Sequence, residues 1–187
     1  MAFFRRSGGT HALAIAMTGV KLGDRLLQVG CTDASLIAAI SAKVGLSGRA
    51  CALVSTDPDE ARARSGAERA GILLEIEKAP LNNFPYPDRS FDLVVVDSQH
   101  GLIANARPDE RVATLQQARR TLVPRGRIVL IERAPRAGLG ALFHGGAPPD
   151  PHYQSSGGAV AALKAEGFKA VRQLAERDGL SFFEGIA

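Results

Sequence analysis

The side chains able to do chemistry in this 187-residue chain fall into a few short stretches. Asp97, Gln99 and His100 follow directly on the apolar run Phe91 to Val96. A carboxylate, an amide and an imidazole together offer proton acceptance and hydrogen-bond positioning. His100 reads either as a general base or, more commonly for a loop histidine, as a group bonded to its surroundings. His144, His152 and Tyr153 lie in a second stretch, placed to close over a substrate or simply to sit at the surface; the two histidines lack the helical spacing of a metal pair. Cys31 and Cys51 each adjoin an apolar strand, which favours buried reduced thiols over a disulfide or a metal site. No basic neighbour in sequence would activate Cys31 as a nucleophile.

The element that must position these groups is the stretch Leu26 to Ser35, LLQVGCTDAS. Leu26, Leu27 and Val29 form an apolar run that breaks at Gly30 into a polar loop before the apolar segment Leu36 to Val44. Strand, tight turn and helix in that order place backbone N–H groups at the carboxyl end of a strand, where an open α/β sheet binds its ligand.

The rest of the chain repeats that alternation. A lead-in helix occupies the segment 1–22, over Gly9 to Val20. Further strands are expected at Arg49 to Val54, Ile72 to Glu77, Phe91 to Val96 and Arg127 to Glu132. Helices fall between them: Asp57 reads as a cap with Pro58 at the first helical position and Glu60 three residues after it, and Val112, Leu115, Ala118 and Leu122 stand at helical spacing. Arg133 to Gly158 is expected to be an irregular loop, of a length that usually means a lid, a binding loop or disorder. A short helix, Ala159 to Glu166, precedes two strands joined across Asp178-Gly179, a strong hairpin dipeptide. The unbroken run at Phe91 to Val96 belongs in a parallel sheet with helices on both faces.

Length fits one domain over residues 1–187. A hydrophobic fraction of 45% without any membrane-length run points to a soluble chain with no membrane partner, and the start MAFFRRSGG lacks a secretory pattern, so a cytoplasmic location is expected. The net charge of +4 spreads over many arginines balanced by 19 acids. That reads as a solvated surface and leaves RNA a minor option as partner. Oligomeric state is not set by the sequence.

Two phrases, NNFPYPDRSFDLVVVDSQH and ARRTLVPRGRIVLIE, together with the order of elements from Gly23 to Ile186, resemble the class I S-adenosylmethionine-dependent methyltransferases of the type 11 kind. The resemblance implies a Rossmann-like seven-stranded sheet in the order 3-2-1-4-5-7-6 with strand 7 antiparallel, and S-adenosylmethionine as cofactor. It also carries site residues over. Gln28, Gly30, Thr32 and Ala34 stand where the family reads acid-x-Gly-x-Gly-x-Gly; Ser55, with Asp57 close by, stands where an acid binds the ribose hydroxyls; Asn82 and Asn83 stand near the adenine acid. His100 and Asp97 become the catalytic candidates, positioning the acceptor and accepting its proton. The implied function is methyl transfer to an acceptor, small molecule or protein, that the sequence does not identify. The replaced loop residues keep a second reading open, an inactive relative whose sheet serves as a scaffold for protein assembly.

Overall fold

The computed structural model describes residues 11–134 and 150–187. Its strands are β1 (Arg25–Val29), β2 (Arg49–Val54), β3 (Glu75–Lys78), β4 (Phe91–Ser98), β5 (Leu122–Arg133), β6 (Lys169–Arg177) and β7 (Leu180–Ile186). The helices are α1 (Ala12–Thr18), α2 (Ala34–Ser41), α3 (Asp57–Ala70), α4 (Pro108–Thr121), α5 (Pro151–Ser155) and α6 (Gly158–Ala165). All seven strands join one sheet in the order β3-β2-β1-β4-β5-β7-β6. Strands β1 to β5 pair in parallel, and β7 runs antiparallel to both β5 and β6. Order and sense are those the resemblance implied.

Burial on both faces explains the apolar runs. Leu27, Val29, Leu53, Val94, Val96, Ile128 and Leu130 pack against Leu115, Ala118, Ala159 and Leu163 of α4 and α6. On the opposite face, Leu26, Leu93, Val95, Val129 and Ile131 meet Ala14, Leu36 and Ile40 of α1 and α2, and Ala52 and Val54 carry Ala63 of α3. Both parities of β4 are therefore inside, which a half-exposed sheet would not require. At the far end, Asp178 and Gly179 take φ of 56° and 76°, the paired left-handed conformations a two-residue hairpin turn needs.

Several expected boundaries and roles are corrected. The lead-in helix is only Ala12–Thr18, stopped by Gly19 in a left-handed conformation, and residues 1–10 lie outside the described residues. Strand β3 begins at Glu75 rather than Ile72, because its pairing with β2 starts at Cys51↔Glu75. Strand β5 begins at Leu122 rather than Arg127: Leu122 pairs with Phe91 before a register shift, so the Pro124–Gly126 turn lies inside the strand. Thr56, not Asp57, caps α3, its hydroxyl accepting from Asp59 N at 3.3 Å. In α4 the inward position next to the expected Val112 belongs to Arg111; Val112 is 39% exposed and Arg111 only 9%. Of the expected loop 133–158, residues 135–149 with His144 lie outside the described residues. The part from 150 onward is ordered structure, with Asp150 accepting from His152 N at the head of α5 and α6 starting at Gly158.

Candidate active site

The chain moves outward from β1 to β2 and β3, then crosses back to β4 on the other side of β1. Such a reversal opens a crevice at the carboxyl ends of the two central strands. Gly30 to Asp33, Ser55 and Thr56, Ala79 to Asn83, Asp97 to Leu102, and Glu132 all follow or end strands at that edge. The fold thus brings the sequence-predicted residues Gly30, Thr32, Ser55, Asn82, Asn83, Asp97 and His100 to one edge.

The loop after β1 is clamped by the protein itself. Gly30 donates its N–H to the Leu53 carbonyl at 2.8 Å, with φ at +81°. A Cβ there would stand 2.8 Å from Leu102 Cδ1 and 3.0 Å from the Asp97 carbonyl oxygen. Close approach of the β4 loop, as well as the backbone angle, therefore requires glycine. Thr32 donates its N–H and its hydroxyl to one Asp97 oxygen, at 2.8 and 2.6 Å, and Gln99 Nε2 donates to the other at 3.0 Å. From α3, Arg62 Nε donates to the Cys31 carbonyl at 2.9 Å while its guanidinium pairs with Asp59. Asp33 caps α2 by accepting from the Ser35 and Leu36 N–H groups. Burial works to raise the Asp33 pKa, but a hydrogen bond from the Ser35 hydroxyl together with those from the two N–H groups outweighs it and holds the carboxyl below the ordinary range.

Other predicted residues take different places. Gln28 is buried and turned away from the edge: its amide donates to Ile37 O at 2.9 Å and to Ser41 Oγ at 2.7 Å, tying β1 to α2. Ala34 is the first residue of α2. Asp57 is exposed and paired with Lys78 of β3. Ser55, Asn82, Asn83 and His100 are exposed, and none has a side-chain hydrogen bond to another described residue. His152 is exposed as well. The cysteines are buried and unpaired, with both thiols pushed up to about 12; burial is the main cause at each, reinforced at Cys31 by the Asp97 charge. Neither is a nucleophile.

Sequence reasoning missed Glu132. It ends the apolar run of β5, is 7% exposed, and accepts a hydrogen bond from the buried Tyr153 hydroxyl at 2.8 Å. The Arg111 guanidinium lies 4.4 Å from the centre of the Tyr153 ring and is itself held by the Ile103 and Ala106 carbonyls. Burial raises the Glu132 pKa above the ordinary carboxyl range, with Tyr153 and Arg111 pulling it back. The one available signal was an acid closing an otherwise apolar strand. A cavity of about 750 Å³ lies beside Arg119 and Pro124 at the opposite edge of the sheet, and one of about 550 Å³ lies between α2 and α3, lined by Asp33, Ala34 and Ser35 at the end of the β1 loop. Among the described residues no cluster of His, Cys, Asp and Glu could hold a metal ion, and no helix is long and apolar enough to cross a membrane.

A seven-stranded sheet in this order, with its crevice between β1 and β4, defines a methyltransferase-type fold. Residues 26–126 match the family described as "Methyltransferase domain". The chain is 30% identical over 133 residues to the ubiquinone/menaquinone biosynthesis C-methyltransferase UbiE of Cupriavidus taiwanensis, covering 67% of this chain and 51% of that protein. The Pseudomonas putida protein of the same name is 31% identical over 135 residues, covering 67% and 50%. A crystal structure of a SAM-dependent methyltransferase from Aquifex aeolicus superimposes with a TM-score of 0.72 at 19% identity, over 95% of this chain and 89% of that one. The chain therefore belongs to the class I S-adenosylmethionine-dependent methyltransferases. It spans about half the length of the curated relatives it matches.

S-adenosylmethionine is the cofactor of this family, and the edge carries groups that could hold its adenosine half. Hydroxyl and amide groups suited to ribose and adenine stand exposed at Ser55, Asn82 and Asn83, and partly buried Ala79, Leu81 and Leu102 in the loops after β3 and β4 offer apolar surface. Around the amino-acid half the family's acid and its second and third glycines are replaced by Gln28, Thr32 and Ala34, and Thr32 and Gln28 direct their side-chain donors into the protein.

Proposed function

We propose that the chain transfers a methyl group from S-adenosylmethionine to a ring carbon of a small quinone-type acceptor. The acceptor class follows the likeness to the two C-methyltransferases, and half of their length has no counterpart in that likeness. The observation that carries the reading is the carboxyl edge itself, where the clamped Gly30 loop stands beside the exposed hydrogen-bonding groups of Ser55, Asn82 and Asn83. In this reading Gly30, Thr32 and Ala34 supply the floor of the site. Ser55, with Asp57 close by, meets the ribose hydroxyls, and Asn82 and Asn83 meet the adenine through amide hydrogen bonds. When bound, the cofactor supplies an electrophilic methyl group for in-line displacement. Asp97 is a positioning residue: it fixes Thr32 and Gln99, and so holds the loops after β1 and β4 in one arrangement. His100, exposed on the β4 loop, accepts the acceptor's proton.

The test is a thermal melt with S-adenosylhomocysteine. At a hundredfold excess over Kd, mass action stabilises the folded state by about 2.7 kcal/mol. For a chain of this size that raises Tm by roughly 5–10 °C. A melt unmoved by millimolar S-adenosylhomocysteine would overturn the reading.

A further inference from the structure

Asp97 and Glu132 are buried carboxyls that end adjacent strands, yet their hydrogen bonding differs. Asp97 is saturated: Thr32 and Gln99 each direct two donors at it, the Gln99 N–H being the longest at 3.4 Å. A carboxylate offers about four acceptor sites. Among the described residues Glu132 receives one donor, Tyr153 Oη on Oε1, and Oε2 receives none. Glu132 lies opposite Ser98 of β4 and Ser181 of β7 in the sheet register. Neither serine is spent on it: Ser98 Oγ accepts from Ile103 N at 2.9 Å, and Ser181 Oγ donates to Glu176 at 3.2 Å. Among the described residues, the charged groups around it are Arg111 of α4, turned to carbonyls and to Asp150, and Glu176 of β6 beyond Ser181.

Oε2 of Glu132, a carboxylate oxygen at this edge that no described residue pairs, has room for a donor from a ligand. Its strand adjoins β4, so its Cα stands about 5 Å from the β4 end and about 10 Å from the β1 end, a ring's width from the cofactor loop. We propose that Glu132 recognises the acceptor, taking a hydrogen bond from a ring hydroxyl and so selecting hydroxylated rings over their ethers. The inference rests on the proposed methyl transfer to a quinone-type ring and names the group that reads that ring. Tyr153 is the positioning residue: its hydroxyl holds Oε1 and thereby aims Oε2. Arg111 in turn fixes the Tyr153 ring from α4. A hydroxyl lost from the ligand would leave the carboxyl unpaired, and that asymmetry produces discrimination.

Binding of methylhydroquinone and of its dimethyl ether is measured by calorimetry, with and without saturating S-adenosylhomocysteine. The wild type is expected to prefer the hydroquinone by about tenfold or more. In Glu132→Gln, which keeps the shape and the contact with Tyr153, the preference falls at least fivefold. Glu132→Asp, which withdraws the carboxyl by one methylene, lowers it as well and serves if the glutamine variant does not fold. Tyr153→Phe removes the tether but keeps the carboxyl, and lowers the preference by less than the Glu132 variants do; an unchanged preference would overturn the positioning role of Tyr153. Equal binding of the two probes by the wild type, binding of neither, or an unchanged preference in both Glu132 variants overturns the assignment. Binding of S-adenosylhomocysteine alone decides the methyltransferase reading separately, so the two fail by different results.

Discussion

Replacing Gly30 by alanine tests whether the central loop is shaped by the protein's own packing. Two costs add at this position. The left-handed backbone at φ +81° penalises any Cβ by roughly 1–2 kcal/mol. The new methyl would also stand 2.8 Å from Leu102 Cδ1 and 3.0 Å from the Asp97 carbonyl, so side chain and strand end must shift at a further ~1–3 kcal/mol. Gly71 provides the control. Its φ is +63°, and a Cβ there meets nothing within 4 Å, so Gly71→Ala carries the conformational penalty alone. Urea denaturation analysed by linear extrapolation is expected to place Gly71→Ala roughly 1–2 kcal/mol below the wild type and Gly30→Ala roughly 2–5 kcal/mol below it. Thermal midpoints should follow, with Gly30→Ala falling by roughly 4–20 °C. If the two variants lose the same stability, the close approach of Leu102 and Asp97 to Gly30 is refuted.

Asp97→Ala leaves the Thr32 N–H and hydroxyl without their acceptor, and denaturation should show a loss of roughly 3–5 kcal/mol, as expected for two hydrogen bonds to a carboxylate; a loss under about 1 kcal/mol would contradict the clamp. Glu132→Gln is expected to change the pH dependence of stability. The folded-state pKa of Glu132 is raised, so its contribution is complete below the ordinary value of 4.5 and is lost as the pH climbs through the folded pKa. The glutamine variant, which never ionises, should gain on the wild type as pH rises above 4.5, and parallel stability curves would refute the shift. Iodoacetamide at pH 8 should leave Cys31 and Cys51 unmodified in the folded protein and alkylate both in urea, because both thiols are pushed up to about 12; rapid native labelling read by mass spectrometry would contradict their burial.

Much of the fold was legible because periodicity reports burial. The unbroken run of β4 announced a strand covered on both faces, and Asp178-Gly179 placed the terminal hairpin, with β7 found over Leu180–Ile186 as expected. What misled was local chemistry with tertiary causes. Asp57 followed by Pro58 reads as a cap, but the chain turns one residue earlier, so Thr56 caps and Asp57 is left to pair with Lys78. Val112 reads as core at helical spacing, yet Arg111 takes the inward place because the Ile103 and Ala106 carbonyls and the Tyr153 ring receive its guanidinium. Within the site, the position of the loop after β1 was readable from Gly30. The commitment of Gln28 to α2 and of Asp97 to Thr32 was not, since each depends on a partner brought close only by the sheet. Glu132 passed unnoticed because one acid at the end of a strand looks like a boundary until its burial is known.

The carboxyl edge beside Gly30 is proposed to bind the adenosine half of S-adenosylmethionine. Isothermal titration with S-adenosylhomocysteine checks this by comparing the wild type with a variant carrying Ser55→Ala, Asn82→Ala and Asn83→Ala. These exposed positions carry little of the fold, so both proteins should melt within a few degrees of each other. One site per chain is expected in the wild type, with an affinity at least about tenfold weaker in the variant, equivalent to about 1.4 kcal/mol of lost hydrogen bonding. No heat at millimolar ligand, or equal affinity in the two proteins, would contradict it.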